Sequence, residues 1–516
     1  MNEAAVRQSK IIYWSSGIVS ICGIVFEVLF GALGSYILGD GVKQYTLTIS
    51  LFLTGMGIGA SLSEKFLKNL IITFVWIEFG VAIIGGFSSF TMFGITAFAP
   101  EGTDALFLYA ITLIVGALTG VELPILIRKA NEIGVTLNKS TARVLFSDYA
   151  GGLIGGVLFV FLFRPYFGMV KTAFLVGCIN LLVALIVLYL FRKEIRYFLV
   201  HAFIGVSIGI VLLIGLFFGE EMAFSFEQKL YKDPIIHTEE TSYQKITLTR
   251  DQEDVRLYLD GQLQFSSIDE HRYHEVLVHP TMAYAEQPRN VLILGGGDGI
   301  AVREILKYDE VENITLVDLD PAVIKLANTN ELLLEVNEGA LMHEKVHVKN
   351  TDAFQFLEGT DEWFDVIIVD LPDPNNESLN KLYTREFYSL VRNHLKPGGA
   401  AMIQATSPVF ATEVYWTISE TVADTGLFVK NLHVDVPSFG NWGFVMASRE
   451  EINLSGLDIL VDTEFLTTDL LPTLGVFGKD EDKEIHDKKG ELVELKPNTL
   501  IDPHLIEIYE QSWENY

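Results

Sequence analysis

Apolar runs long enough to cross a bilayer recur through the first 218 residues, at about 11–38, 45–62, 70–98, 105–127, 143–168, 171–191 and 198–218. About 20 residues are needed to cross ~30 Å of hydrocarbon. Within hydrocarbon, every backbone polar group must be satisfied by the chain itself, which leaves helices and closed barrels as the spanning forms. Continuous apolar runs of this length predict an α-helical transmembrane bundle over 1–218 with about seven spans. The first run begins too late and extends too far for a cleaved leader, and reads as an anchor in the lipid bilayer.

Charge divides the chain at the same place. Residues 1–218 hold 14 Lys/Arg and 11 Asp/Glu, whereas the remainder holds 23 and 55. So acidic a second half argues against nucleic acid, which needs a basic surface, and suits cationic ligands or simple solubility. Cys22 and Cys178 both lie in apolar runs and define no disulfide framework. Small residues cluster at Gly55–Ala60 and Gly151–Gly156, a spacing that lets helix backbones pack closely.

Four acids fall in or near the spans: Glu27, Glu78, Glu122 and Asp148. Intramembrane carboxylates are costly and raise a functional question, here attraction of a polyamine or another cation. The plainer reading is interhelical hydrogen bonding, or pairing with Arg164 or Lys171. On one set of loops, with the N-terminus, 11 Lys/Arg collect against three on the other. The positive-inside rule then puts the N-terminus in the cytoplasm. Seven spans would place the C-terminal half outside, whereas a nucleoside ligand made in the cytoplasm argues for the inside.

Beyond Gly219 the pattern turns to polar alternation. Residues 243–249 and 255–260 alternate with period two, and Asp260-Gly261 is a hairpin signal. A small antiparallel domain with a polar linking helix from Asp269 is expected over 225–285. From Val291 strands and helices alternate, with strands at 290–294, 313–317, 346–349, 365–369 and 400–404. That alternation predicts a Rossmann-like, doubly wound α/β sheet over 286–450, with ligand at the carboxyl ends of its strands. Residues 451–516 read as an acidic tail whose end, from Asn498, is ordered without assigned chemistry.

The strand ends carry the candidate site. Gly295, Gly296 and Gly297 form a strand-to-helix turn where backbone can approach a nucleoside. Asp298 within that turn is wrong for phosphate and right for a cation. Asp318, about 20 residues on, stands where such folds place an acid on ribose hydroxyls. Asp352 could accept from an adenine amino group, cap the following helix, or both. Asp370 and Asp373, with Pro372 and Pro374, could hold an ammonium and take its proton, or merely close a strand and shape a turn. His274 reads equally well as a surface helix residue. Neither a Cys/His cluster with zinc spacing nor a nucleophile elbow is present in the sequence, so metal and acyl-enzyme chemistry lack support.

Residues 230–450 resemble the polyamine aminopropyltransferases, the spermidine synthase family, and the whole chain looks like a membrane-anchored, multi-pass branch of it. The resemblance rests on Tyr243-Gln244, Leu259–Gln264, Asp269-Glu270 with Tyr273–Glu275, Gly295–Gly299, Asp318–Pro321, Asp352-Ala353, Asp370–Pro374 and Leu395–Gly399, in order and at family-like spacing. It implies a sheet of the S-adenosylmethionine-dependent transferase type. The implied donor is decarboxylated S-adenosylmethionine, a co-substrate and not a resident cofactor. The implied acceptor is a polyamine such as putrescine. Gln244, the glycine loop, Asp318, Asp352 and Ala353 would hold the nucleoside, and Asp298 the aminopropyl amine. Tyr273, His274 and Asp373 would contact the polyamine, and Asp370 would be the base. A homodimer or higher homo-oligomer is expected. Leu371-Pro372, Asn375–Glu377 and Phe439 depart from the soluble relatives, which usually have a small pair, Gly-Pro and Tyr at these places.

Two other readings share parts of this pattern. A methyltransferase would use the same sheet, loop and Asp318, but Asp298 repels the carboxylate of its donor. A non-enzymatic polyamine sensor or transporter would rest on the intramembrane acids.

Overall fold

The computed structural model describes residues 3–39, 41–66, 68–100, 102–241, 243–486 and 490–513. The chain forms two compact units, Met1–Lys232 and Asp233–Tyr516. The break falls 14 residues later than the expected boundary at 218, because the last apolar helix continues through a polar extension to Glu227.

The first unit is helical: α1 (Glu3–Leu38), α2 (Gly41–Leu62), α3 (Leu70–Gly86), α4 (Ser88–Phe98), α5 (Thr103–Glu132), α6 (Leu137–Leu158), α7 (Arg164–Leu190) and α8 (Phe198–Glu227). The glycine clusters do pack helices. A Cβ at Gly59 would collide with the Ala117 carbonyl on α5, and one at Gly155 would lie 2.7 Å from the Ile21 carbonyl on α1.

Five helices among the described residues are long and apolar enough to cross a membrane, or six if α3 and α4, bent by 42°, count as one. The expected seven runs differ from this at one place. Leu137–Leu190 is a single 54-residue stretch, containing a π-helical turn at Phe159–Phe163 and non-helical dihedrals at Gly168 (φ 62°, ψ −173°). Glycine tolerates that geometry, so the chain bends there without a loop that composition would reveal. Lys171, offered as a partner for the intramembrane acids, pairs instead with Glu220.

The second unit opens with four antiparallel strands in sequential order, β1 (Ile235–Glu240), β2 (Lys245–Asp251), β3 (Asp254–Leu259) and β4 (Gln262–Ser266). Asp260 (φ 49°) and Gly261 (φ 82°) make the turn between β3 and β4, with both central residues in the left-handed region that tight hairpins require. The buried face of this sheet, Ile246, Leu248, Val255, Leu257 and Phe265, packs on Ile300, Val323, Leu326 and Leu333.

Next come α9 (Glu270–Tyr284), β5 (Asn290–Gly295), α10 (Ile300–Ile305), β6 (Asn313–Asp318), α11 (Pro321–Thr329), α12 (Glu331–Asn337), β7 (Val346–Asn350), α13 (Ala353–Gly359) and β8 (Phe364–Asp370). After these follow α14 (Glu377–Asn380), α15 (Arg385–His394), β9 (Leu395–Gln404), α16 (Thr412–Ala423), β10 (Phe428–Val436), β11 (Gly440–Ser448) and α17 (Leu505–Trp513). The strands form one seven-stranded sheet in the order β10-β11-β9-β8-β5-β6-β7. From β9 to β7 neighbours are parallel, while β11 and β10 are antiparallel additions. The sheet is therefore mixed, with its two antiparallel strands added at one edge of the doubly wound part. The order reverses between β5 and β8, and such a switch point opens a crevice at the strands' carboxyl ends.

Two expectations need correction. The linking helix is not polar in its setting: Tyr273 to Met282 are all buried, and Glu270 and Glu275 turn inward to partners. The acidic segment 451–516, read as a tail, is part of the fold. Leu454, Leu466, Leu471 and Leu474 are buried in the core of the unit. The carboxylate of Glu275 on α9 accepts backbone N–H groups from Glu464 (2.6 Å), Phe465 (3.0 Å) and Leu466 (2.7 Å).

Candidate active site

β5 and β8 place Gly295 opposite Asp370 in register. Gly296 N–H donates to the Asp370 carbonyl at 3.2 Å, and a Cβ on Gly295 would overlap that same carbonyl. Only glycine permits this approach, so the loop and Asp370 are fixed to each other through main chain. From α9, the Tyr273 hydroxyl donates to Asp370 Oδ1 at 2.7 Å. Burial pushes the Asp370 carboxyl up to about 6, with the His274 imidazolium opposing and Asp298 reinforcing the rise.

His274 is fully enclosed and not a surface residue. Its Nδ1 lies 2.8 Å from Glu270 Oε2 and 3.0 Å from the Glu270 carbonyl. Two acceptors at one nitrogen fix it as the protonated one and leave Nε2 for the site. Burial alone would lower the imidazole; Glu270 outweighs it, and the ring is pushed up to about 9. Glu270 is in turn held by Arg303 Nη2 at 2.9 Å, and Arg303 reaches Glu304. His279 and Lys307 close the chain on Glu304 at 2.9 and 2.7 Å.

Asp298 accepts from Ile300 N–H at 2.8 Å, which caps the start of α10, and burial raises its carboxyl. Asp318 accepts from Asp320 N–H at 2.9 Å. A Cβ at Gly297 would sit 2.5 Å from Asp318 Oδ2. Burial raises Asp318 to about 6. Gln244 reaches Asp320 Oδ2 through Nε2 at 3.3 Å, beside the Thr241 hydroxyl at 2.7 Å. Asp320 thereby ties the small sheet to the end of β6.

Asp352 is the expected helix cap and is also paired with a lysine. Its Oδ1 caps α13 through Gln355 N–H (3.1 Å), while Oδ2 accepts from Lys381 Nζ (2.6 Å). Ala353 is buried beside it. Asp373 is set apart from the others. It is buried and turned toward Gln404 Nε2 (2.9 Å), Thr406 Oγ1 (2.9 Å) and the Tyr509 hydroxyl (3.0 Å). A carboxylate offers about four acceptor positions, so three are committed within the protein.

The structure thus gathers Tyr273, His274, Asp298, Asp318 and Asp370 around Gly295–Gly297. Lys381, Gln404, Thr406 and Tyr509 were not singled out in the sequence, and Glu270 entered only within the Asp269-Glu270 motif, without a role. Gln404 ends β9, and the strand-end logic applied to Asp370 would have found it. Tyr509 gave no signal, standing 136 residues from its partner. Among the described residues, no group of three His, Cys, Asp or Glu is arranged to hold a metal. Buried acids that ring a glycine loop, with one protonated imidazole, make a site that neutralises a cationic nucleoside and accepts a proton from an amine.

The spermine/spermidine synthase domain family matches residues 270–456. A polyamine aminopropyltransferase from Oceanobacillus iheyensis is 80% identical over 516 residues, covering 100% of both chains. One from Leptospira interrogans is 38% identical over 502 residues, covering 97% of this chain and 98% of its own. One from Streptomyces coelicolor is 37% identical, covering 96% and 93%. A solved spermidine synthase from Thermotoga maritima is 24% identical, with a TM-score of 0.44 over 47% of this chain and 84% of its own. The full-length matches extend through the helical unit as well as the sheet. The chain belongs to the spermine/spermidine synthase family of polyamine aminopropyltransferases.

Proposed function

We propose that this protein transfers the aminopropyl group of decarboxylated S-adenosylmethionine to a polyamine, with putrescine giving spermidine, and releases methylthioadenosine. The observation that carries the reading is the Asp370 carboxylate, fixed by Tyr273 and by the glycine loop at the switch point of the sheet. Asp318, Asp352, Ala353 and Gln244 hold the nucleoside, with Lys381 displaced or shared at Asp352. Asp298 faces the donor's ammonium. His274 Nε2 and Tyr273 line the acceptor's path, and Asp373 uses its one remaining acceptor position for the distal amine.

In the reaction, the acceptor ammonium gives a proton to Asp370, and the freed nitrogen lone pair attacks the carbon next to sulfur. The carbon–sulfur bond breaks with its electron pair on sulfur, so the sulfonium becomes a neutral thioether. Positioning supplies most of the rate, and deprotonation the rest.

The helical unit anchors the enzyme in the membrane. We place the catalytic unit on the cytoplasmic side, where the donor is made. Glu194, between α7 and α8, meets Gln8 and Lys129, so the chain leaves α8 at the end opposite its N-terminus, and this placement runs against the positive-inside count. We further infer a homo-oligomer.

The test incubates the purified full chain with decarboxylated or intact S-adenosylmethionine and a set of amines. Methylthioadenosine release from the decarboxylated donor alone, lost in D370N, is the expected result. Methyl transfer from the intact donor would overturn the reading. Accessibility of single cysteines at the two ends of the helical unit reads the orientation.

A further inference from the structure

Lys381 joins two parts of the site that the sheet keeps apart. In the order β8-β5-β6-β7, the strand that leads to Lys381 and the strand that leads to Asp352 have β5 and β6 between them. Asp318 on β6 lies opposite Asn350 on β7, so Asp352 stands just beyond the strand end beside Asp318. From β8 the chain passes Asp373 and α14 and then turns through Lys381–Tyr383. Lys381 Nζ donates to Asp352 Oδ2 at 2.6 Å. The turn that delivers this ammonium is anchored. The Tyr383 hydroxyl donates to the carbonyls of Leu371 and Pro372 at 3.2 and 2.9 Å, and Asn498 Nδ2 donates to the Tyr383 carbonyl at 3.0 Å. The Thr384 hydroxyl donates to the Lys381 carbonyl at 2.8 Å.

Hydrogen-bond accounting at Asp352 gives this pair a consequence. Oδ1 is committed to Gln355 N–H at 3.1 Å, which leaves Oδ2 as the oxygen for a ligand, and Lys381 already holds it. A carboxylate oxygen has two acceptor positions, so one remains beside the ammonium. A purine edge brought here meets two unlike groups, an oxygen that only accepts and a nitrogen that only donates. The amino group of adenine suits the oxygen, but as a neutral donor it competes with an ammonium whose hydrogen bond is the stronger. The carbonyl of hypoxanthine is repelled by the oxygen and suits the ammonium. An acid alone would reject the carbonyl base. The lysine offsets that rejection.

We propose that Lys381 is a specificity-determining residue of the nucleoside site, which competes with an amino purine for Asp352 and offers a donor to an oxo purine. The site then discriminates less between the two bases than Asp352 alone would. This assignment rests on the nucleoside role proposed for Asp352.

Isothermal titration of the purified full chain with methylthioadenosine and with methylthioinosine, its oxo counterpart, tests the assignment in the parent, K381M and K381R. Weak binding is read by competition. Methionine keeps nearly the length of lysine without its charge or its donors. In K381M methylthioadenosine should bind at least as tightly as in the parent and methylthioinosine more weakly, so that the ratio of their Kd values rises by about fivefold or more. A smaller rise overturns the proposal, as does an equal loss of affinity for both, which would make Lys381 a brace for the loop only. Arginine keeps a charged donor, so the ratio in K381R should lie closer to the parent's than to that of K381M; the reverse overturns the proposal. A parent that binds methylthioadenosine and refuses methylthioinosine also overturns it. A parent that binds neither nucleoside removes the nucleoside reading of the whole site, a failure visible before any variant is made.

Discussion

The hydroxyl of Tyr509 donates to Asp373 Oδ2 at 3.0 Å and so joins the C-terminal helix to the loop that follows Asp370. With Thr406 and Gln404 it fixes the plane of a buried carboxylate. Removing the hydroxyl leaves Asp373 with two donors and freedom to turn. In Y509F the KM for the polyamine should rise about tenfold, the equivalent of ~1.4 kcal/mol. The donor's KM should stay within about twofold. Steady-state kinetics with each substrate varied in turn separate this from general destabilisation, which would affect both.

D370N should lower kcat by roughly 10²–10⁴, the contribution of a positioned general base. In the parent, kcat/KM should rise with pH through about 6, where the Asp370 carboxyl ionises. The stability sign is opposite. A folded value raised from 3.8 to about 6 gives stability that is present below 3.8 and lost as pH rises through 6. At pH 8, therefore, D370N should melt no lower than the parent. Calorimetry at two pH values checks it.

Glu270 holds His274 protonated, and its loss should show in the pH profile. The imidazole stands at about 9 against an ordinary 6.5, so its contribution to stability is full below 6.5 and lost as pH rises through 9. E270Q removes the main upward cause. The alkaline limb of activity should move toward the ordinary imidazole range, and histidine NMR titration should show the same ring shifting.

Two glycine substitutions should separate site from scaffold. G297A puts a methyl group 2.5 Å from Asp318 Oδ2, and should weaken binding of methylthioadenosine at least tenfold by isothermal titration. G261A places its methyl in open space, but at φ 82°. It should cost about 1 kcal/mol of stability and leave nucleoside affinity unchanged.

The strands that form the site were legible because they are short, apolar and bounded by glycine or aspartate. Those before Asp318 and Asp370 were placed to within a residue or two. The β10–β11 pair was not read, although Leu432, Val434 and Val436 alternate as a half-buried strand should. The glycine loop and its acids announced themselves through spacing. Glu270 did not, because a charged residue early in a helix looks solvated until its partners, His274 and Arg303, are seen behind it. Tyr509 and the Gly168 bend share another reason. Each depends on what the fold brings near, and neither leaves a local pattern.

Glu275 sets a limit on how this enzyme can be shortened. The family domain ends at residue 456, and a chain cut there would keep every strand of the sheet and every acid at its strand ends. It would also lose the three N–H groups of residues 464–466 that hold the Glu275 carboxylate at the back of the helix carrying Tyr273 and His274. Such a fragment loses the partners that fix Glu275, one residue from His274 on the acceptor side of the site. The smallest autonomous catalyst in this chain is larger than the segment that identifies it.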